Sequence, residues 1–246
     1  MANEHSFSTS TTIPPKYWCI IPAAGIGSRM GVAAPKQYLS LCGATILDHT
    51  LGKLVDLAWI EKTVVAVSRD DIYWPQLRWA KEKKVQVCPG GEERVDSVYN
   101  GLLALAPIAA ADDWVLIHDA ARPCVTSVDI ERLRSQLVGS SSGGLLGLPV
   151  ADTLKKVDAH GQVIETVDRS GIWRALTPQM FRYNLLRDSI EVALQQGIKV
   201  TDEASAVENA GHEVTLVRGE QQNIKITHPE DLELAEFYLS SQLHHR

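Results

Sequence analysis

Trp18-Cys19-Ile20-Ile21-Pro22-Ala23-Ala24-Gly25-Ile26-Gly27-Ser28-Arg29-Met30-Gly31 runs from an apolar segment straight into small residues. Trp18 to Ile21 reads as a short buried strand. Ala23, Ala24, Gly25 and Gly27 have little or no side chain, so their backbone N–H groups can approach a bulky anion and cradle phosphates. Arg29 and Lys36 add two cations beside the loop. The competing reading is a tight strand-to-helix turn with two solvated charges. Two familiar glycine loops do not fit. G-x-x-x-x-G-K-[ST] is absent, and Gly25-x-Gly27 lacks the third glycine of the dinucleotide fingerprint, which disfavours a dinucleotide-dependent oxidoreductase.

Outward from this stretch, strands and helices alternate. Lys62–Val67, Val85–Val87, Trp114–Ile117 and Leu145–Val150 read as strands. Thr45–Leu57, Asp71–Lys84, Arg94–Ala106 and Ser127–Leu137 read as helices. In the third quarter the pattern changes. Thr153–Val157 and Val163–Val167 flank an Asp158–Gly161 turn and read as a hairpin. Trp173–Gln179 is expected to be extended or loop-like, with Pro178 blocking a helix. Helices at 184–196 and 202–210, with Thr201 as cap of the second, lead to strands at 214–217 and 223–227. Pro229 then opens a last helix. The expected fold is α/β: a mostly parallel sheet covered by helices on both faces, Rossmann-like, with a projecting hairpin. Residues 1–15 are expected to be a disordered tail, and residues 16–246 one domain that includes an arm at about 151–170. The hairpin is too small to bury its own apolar face, so its expected partner is a second subunit, with folding back on its own domain as the alternative.

Composition narrows the function. The net charge of −6 over 246 residues argues against general nucleic-acid binding. No run is long enough to span a bilayer, and the start of the chain is not a secretory signal. Cys19, Cys42, Cys88 and Cys124 form no C-x-x-C pair and read as buried small hydrophobes of a reduced, cytoplasmic protein.

Two further stretches carry chemistry. Gly90-Gly91-Glu92-Glu93-Arg94-Val95-Asp96-Ser97 places a glycine pair before a helix, where backbone can reach a flat base; a plain turn explains it equally. His118-Asp119-Ala120-Ala121-Arg122-Pro123 ends a buried strand in a carboxylate. Asp119 suits Mg²⁺ shared with substrate phosphates, since magnesium needs only one or two protein carboxylates. Arg122 can meet another phosphate with its planar fork. The structural alternative has Asp119 capping the backbone of residues 120–122. Ligands of such sheets bind at the carboxyl ends of strands, where both the glycine loop and Asp119 fall.

Together with Pro35-Lys36-Gln37-Tyr38, Asp152-Thr153-x-Lys155, Val167-Asp168-Arg169, Leu176-Thr177-Pro178-Gln179, Thr201-Asp202-Glu203-Ala204 and Asn223-Ile224-Lys225, these motifs make the chain resemble the 2-C-methyl-D-erythritol 4-phosphate cytidylyltransferase family over nearly its whole length after Trp18. The resemblance implies transfer of CMP from CTP to a sugar-alcohol phosphate, with release of pyrophosphate. It implies Arg29 and Lys36 as the transition-state-stabilising pair and Asp119 as the ligand of Mg²⁺ or another divalent cation. Pro22, Ala23, Ala24, Gly25, Gly27, Gly91, Arg94, Ser97 and Ala120 are implied at CTP. Arg122, Thr153, Arg169, Thr201 and Lys225 are implied around the acceptor phosphate. It also implies a homodimer in which Thr153 and Arg169 serve the neighbouring active site. The alternatives are another acceptor, such as ribitol 5-phosphate, and a non-catalytic nucleotide-binding regulator.

Overall fold

A computed structural model describes residues 14–25 and 34–244. Gly27, Arg29 and most of the expected N-terminal tail lie outside these residues. The described strands begin with β1 (Tyr17–Pro22), β2 (Ser40–Leu41), β3 (Ala44–Thr45), β4 (Ile60–Val67), β5 (Val85–Pro89) and β6 (Trp114–Ile117). They continue with β7 (Gly143–Pro149), β8 (Leu154–Val157), β9 (Val163–Val167), β10 (Trp173–Arg182) and β11 (Thr215–Arg218). The helices are α1 (Ile46–Leu54), α2 (Arg94–Leu105), α3 (Ser127–Leu137), α4 (Tyr183–Gln195), α5 (Glu203–Asn209) and α6 (Glu230–His244).

A seven-stranded sheet runs β11-β7-β10-β6-β1-β4-β5. Its pairs are parallel except where β10 lies antiparallel between β6 and β7. Alternation along β1 explains the two-sided core, because successive strand side chains point to opposite faces. Cys19 and Ile21 join α1 and α3 on one side. Trp18 and Ile20 join α2, α4 and α5 on the other. Near-continuous burial along β1 and β6 is what a sheet covered on both faces requires.

Three local expectations are corrected. Residues 71–84 form two short 3₁₀ turns, Trp74–Gln76 and Arg78–Lys81, instead of one helix. Asp71 Oδ1 takes the N–H groups of Tyr73 and Trp74 at 2.9 Å each, and Pro75 follows at once, so the chain turns where a helix would continue. Trp74 and Trp79 still pack into the core. Trp173–Gln179 is extended, as expected, within β10, and Pro178 sits at the register shift, where its missing N–H costs no ladder bond. Residues 223–227 form no strand. Ile226 N donates to Ala121 O at 2.9 Å, tying the segment to the loop after β6. Cys42 is exposed, at φ 46° in the turn between β2 and β3.

Strands β8 and β9 pair with each other in a separate two-stranded sheet. Both strands are almost wholly exposed, including Val157, Val163 and Ile164. No helix of the described residues is long and apolar enough to cross a membrane.

Candidate active site

The carboxyl ends of β1, β5 and β6 bring three loops together. Ala23 N donates to Ala66 O at 2.8 Å, and Gly90 N donates to Val67 O at 2.7 Å, so both loops leave the sheet through strand-like bonds to β4. Their approach is close enough to demand glycine. A Cβ on Gly90 would lie 2.2 Å from Ala24 Cβ, and one on Gly91 would lie 2.1 Å from Asp96 Cβ. Gln37 Nε2 closes the loop from the other side, donating to Ala23 O at 2.6 Å. Ser97 Oγ, on the first turns of α2, accepts from Gly91 N at 3.0 Å. The result is a cleft of about 290 Å³ lined by Pro22, Ala23, Ala24, Gly25, Lys36, Gly91, Arg94, Ser97, Asp119, Ala120 and Lys225, among others.

A second cleft of about 280 Å³ adjoins it, lined by Arg94, Asp119, Arg122, Thr177, Gln179, Thr201, Asp202 and Lys225, with Ala175 and Leu176. Arg94, Asp119 and Lys225 line both clefts and form the wall between them. Asp119 Oδ1 accepts from Arg94 Nε at 2.8 Å, and Oδ2 meets Lys225 Nζ at 2.8 Å. Arg122 Nε forms an ion pair with Oδ2 at 3.5 Å, and among the described residues it is a buried donor without a hydrogen-bond partner. Arg122 Nη1 donates to Asn223 O at 2.8 Å. The side chain of Asp119 therefore faces cations and does not cap the backbone of residues 120–122. Burial pushes its carboxyl up, but Arg94, Lys225 and Arg122 outweigh burial and hold it well below the usual carboxylate range.

Beneath this wall lies a closed chain of polar groups. His118 Nε2 is 3.1 Å from the Arg122 carbonyl, which can only accept, so Nε2 carries the proton. Nδ1 then accepts from the Thr177 hydroxyl at 3.0 Å, and Thr177 Oγ1 accepts from Asp119 N at 3.1 Å. Burial holds the imidazole neutral, with its pKa pushed down to about 4. Lys36 Nζ reaches into the larger cleft and donates to Ile226 O at 2.9 Å.

Most of the residues anticipated from sequence thus converge on these clefts. Thr153 and Arg169 do not: both are exposed on the hairpin segment, line neither cleft, and Arg169 donates to the Ala151 carbonyl. Thr201 is not the cap of α5; Asp202 is, accepting from Ser205 N at 3.0 Å. Sequence reasoning missed several site residues, among them Thr177, which holds Asp119 N and His118 Nδ1. Gln37 and Gln179 each hold backbone or a cap through a side-chain amide, and Glu203 binds Arg94. Glu203 carried a signal of sorts, an acidic residue at a helix start beside a cleft motif, but that pattern is common on plain surface helices.

A profile of the family described as IspD, 2-C-methyl-D-erythritol 4-phosphate cytidylyltransferase, matches residues 17–241. The enzyme of that name from Pseudomonas entomophila is 51% identical over 224 residues, covering 91% of this chain and 95% of the relative. A crystal structure of 4-diphosphocytidyl-2C-methyl-D-erythritol synthase superimposes with TM-score 0.80 at 37% identity, covering 92% of this chain and 100% of that one. The Francisella tularensis 2-C-methyl-D-erythritol 4-phosphate cytidylyltransferase structure gives TM-score 0.79 at 39% identity, with 91% and 99% covered.

Proposed function

The chain belongs to the 2-C-methyl-D-erythritol 4-phosphate cytidylyltransferase family, and on that premise we propose that its adjoining clefts divide one reaction between them. The enzyme transfers CMP from CTP to 2-C-methyl-D-erythritol 4-phosphate, giving 4-diphosphocytidyl-2-C-methyl-D-erythritol and pyrophosphate. In our reading the larger cleft takes CTP. Backbone N–H groups of residues 23–25 meet the triphosphate, and the Gly91–Ser97 side meets the cytosine. The smaller cleft takes the acceptor phosphate, with Arg122, Thr201 and Lys225 around it. The observation that carries this reading is the shared wall of Arg94, Asp119 and Lys225, which lets two phosphates approach from opposite sides.

The chemistry is an in-line displacement. An oxygen of the acceptor phosphate forms a bond to the α-phosphorus of CTP. The bond from that phosphorus to the bridging oxygen breaks, and pyrophosphate leaves with the electron pair. The protein's task is positioning and charge stabilisation. Lys36, and Arg29 beyond the described residues, act as cations toward the α-phosphate and the departing pyrophosphate. Removing one such group is expected to cost about 10²–10³ in kcat. The buried Nε of Arg122 has no hydrogen-bond partner among the described residues, a donor that suits an incoming phosphate oxygen.

Asp119 fits a magnesium ion as its single protein ligand. It lines both clefts, and Oδ1 carries one hydrogen bond, leaving a lone pair for a cation. When bound with substrate phosphates, Mg²⁺ supplies charge neutralisation at the triphosphate. We also propose a homodimer formed through the hairpin, with Thr153 and Arg169 serving the partner's acceptor cleft; the exposed Val157, Val163 and Ile164 support it. Free, buried Cys19, Cys88 and Cys124 support a cytoplasmic setting.

The test is pyrophosphate release from CTP with an acceptor panel, with and without Mg²⁺. Turnover is expected with 2-C-methyl-D-erythritol 4-phosphate and Mg²⁺. Equal or faster turnover with ribitol 5-phosphate would overturn the acceptor assignment, and undiminished turnover in EDTA would overturn the metal.

A further inference from the structure

Glu203 has no part in the scheme above, yet it is a carboxylate buried behind the wall and paired with Arg94, at 1% exposed against 6% for Asp119. It is the first residue of α5, immediately after the Asp202 cap. Its two oxygens receive the Arg94 guanidinium as a fork: Nη1 to Oε1 at 2.5 Å and Nη2 to Oε2 at 3.1 Å. The remaining nitrogen, Nε, donates to Asp119 Oδ1 at 2.8 Å. Arg94 is thus held by two carboxylates from distant parts of the chain, one at the end of β6 and one at the start of α5.

This geometry decides how Arg94 meets Asp119. A free guanidinium prefers a two-point contact with a carboxylate. Here Glu203 takes that contact, so from Arg94 Asp119 receives only the single Nε bond. We propose that Glu203 is a positioning residue: it draws the forked face of Arg94 away from Asp119, keeping Asp119 open to the cleft and Arg94 fixed as the wall between the two substrates. The inference rests on the reading that the larger cleft binds CTP.

Three roles for Glu203 predict different results. As a positioning residue, its loss lets Arg94 turn its fork onto Asp119, and CTP binds more weakly. As a mere negative charge near the triphosphate, its loss makes CTP bind more tightly. As a purely structural ion pair, its loss lowers the melting temperature and leaves CTP affinity unchanged in the folded enzyme.

The experiment is isothermal titration of the full-length Glu203→Gln enzyme with CTP in Mg²⁺ buffer without acceptor, beside wild type, Arg94→Gln and the double variant. The expected result is a Kd raised roughly 10- to 100-fold, with the double variant no weaker than Arg94→Gln alone. Circular dichroism checks folding. Glu203→Asp keeps the charge but is one methylene too short for the fork, and it covers the case in which the Gln variant does not fold; its Kd is expected to rise by about fivefold or more. An unchanged or lower Kd in a folded Glu203 variant, or effects that add fully in the double variant, would overturn the inference while CTP binding by wild type left the underlying reading intact. Failure of the wild type to bind CTP would overturn both.

Discussion

Lys225 Nζ donates to Asp119 Oδ2 across 2.8 Å, joining the segment before α6 to the carboxyl end of β6 on the wall between the clefts. Lys225→Met is therefore expected to act on the acceptor side first. Initial-rate kinetics should show kcat/KM for the acceptor lowered by about 10²-fold, with CTP affinity changed by less than about threefold. A larger loss on the CTP side would reverse the assignment of the clefts.

Gly90 gives a prediction about shape alone. A methyl group there has to displace Ala24, whose Cβ lies 2.2 Å from where it would sit. Gly90→Ala should fold, since the contact is at the rim of the sheet, but weaken CTP binding by about tenfold or more as the two loops move apart. Calorimetric titration with CTP checks it.

The course of the chain explains how much of this was readable beforehand. Trp18–Ile21 and Trp114–Ile117 announced themselves as buried strands because both faces of the sheet are covered, leaving unbroken apolar runs. The loops that follow them carried their small residues and charges in plain view. What stayed hidden depends on long-range pairing. Nothing local tells that Arg94 meets Glu203, or that Asn223 accepts from Arg122. Residues 71–84 failed for a different reason: Trp74 and Leu77 are three apart, as on a helix face, but Pro75 and the Asp71 side chain override a helix there. Thr153 and Arg169 line neither cleft of their own chain, which no local pattern in the sequence discloses.

His118 sets a pH dependence. Its folded pKa, about 4, lies below the unfolded value near 6.5. The unfolded chain therefore binds more protons between these values, and stability rises with pH across that window. Its contribution is complete above about pH 6.5 and is lost as the pH falls toward 4, by about 3 kcal/mol in all. Urea denaturation from pH 7 to pH 4 should show this slope, and it should flatten in His118→Asn. An unchanged slope in the variant would mean that His118 is not the group responsible.

Val163 and Ile164 are 60% and 59% exposed on β9, and their side chains point to opposite faces of the hairpin. On the proposed hairpin dimer, Ile164→Lys is expected to give a monomer in light scattering and to lower kcat/KM for the acceptor by at least about tenfold, because Thr153 and Arg169 would no longer reach a partner's cleft. A wild-type monomer with full activity would remove the hairpin from the chemistry.

The most direct measurement is a crystal structure with CTP and Mg²⁺ bound. The account predicts the triphosphate along the backbone of residues 23–25, the cytosine beside Gly91 and Ser97, and the cation on Asp119. A triphosphate lying in the Thr177–Thr201 cleft, with Asp119 bearing no cation, would contradict it.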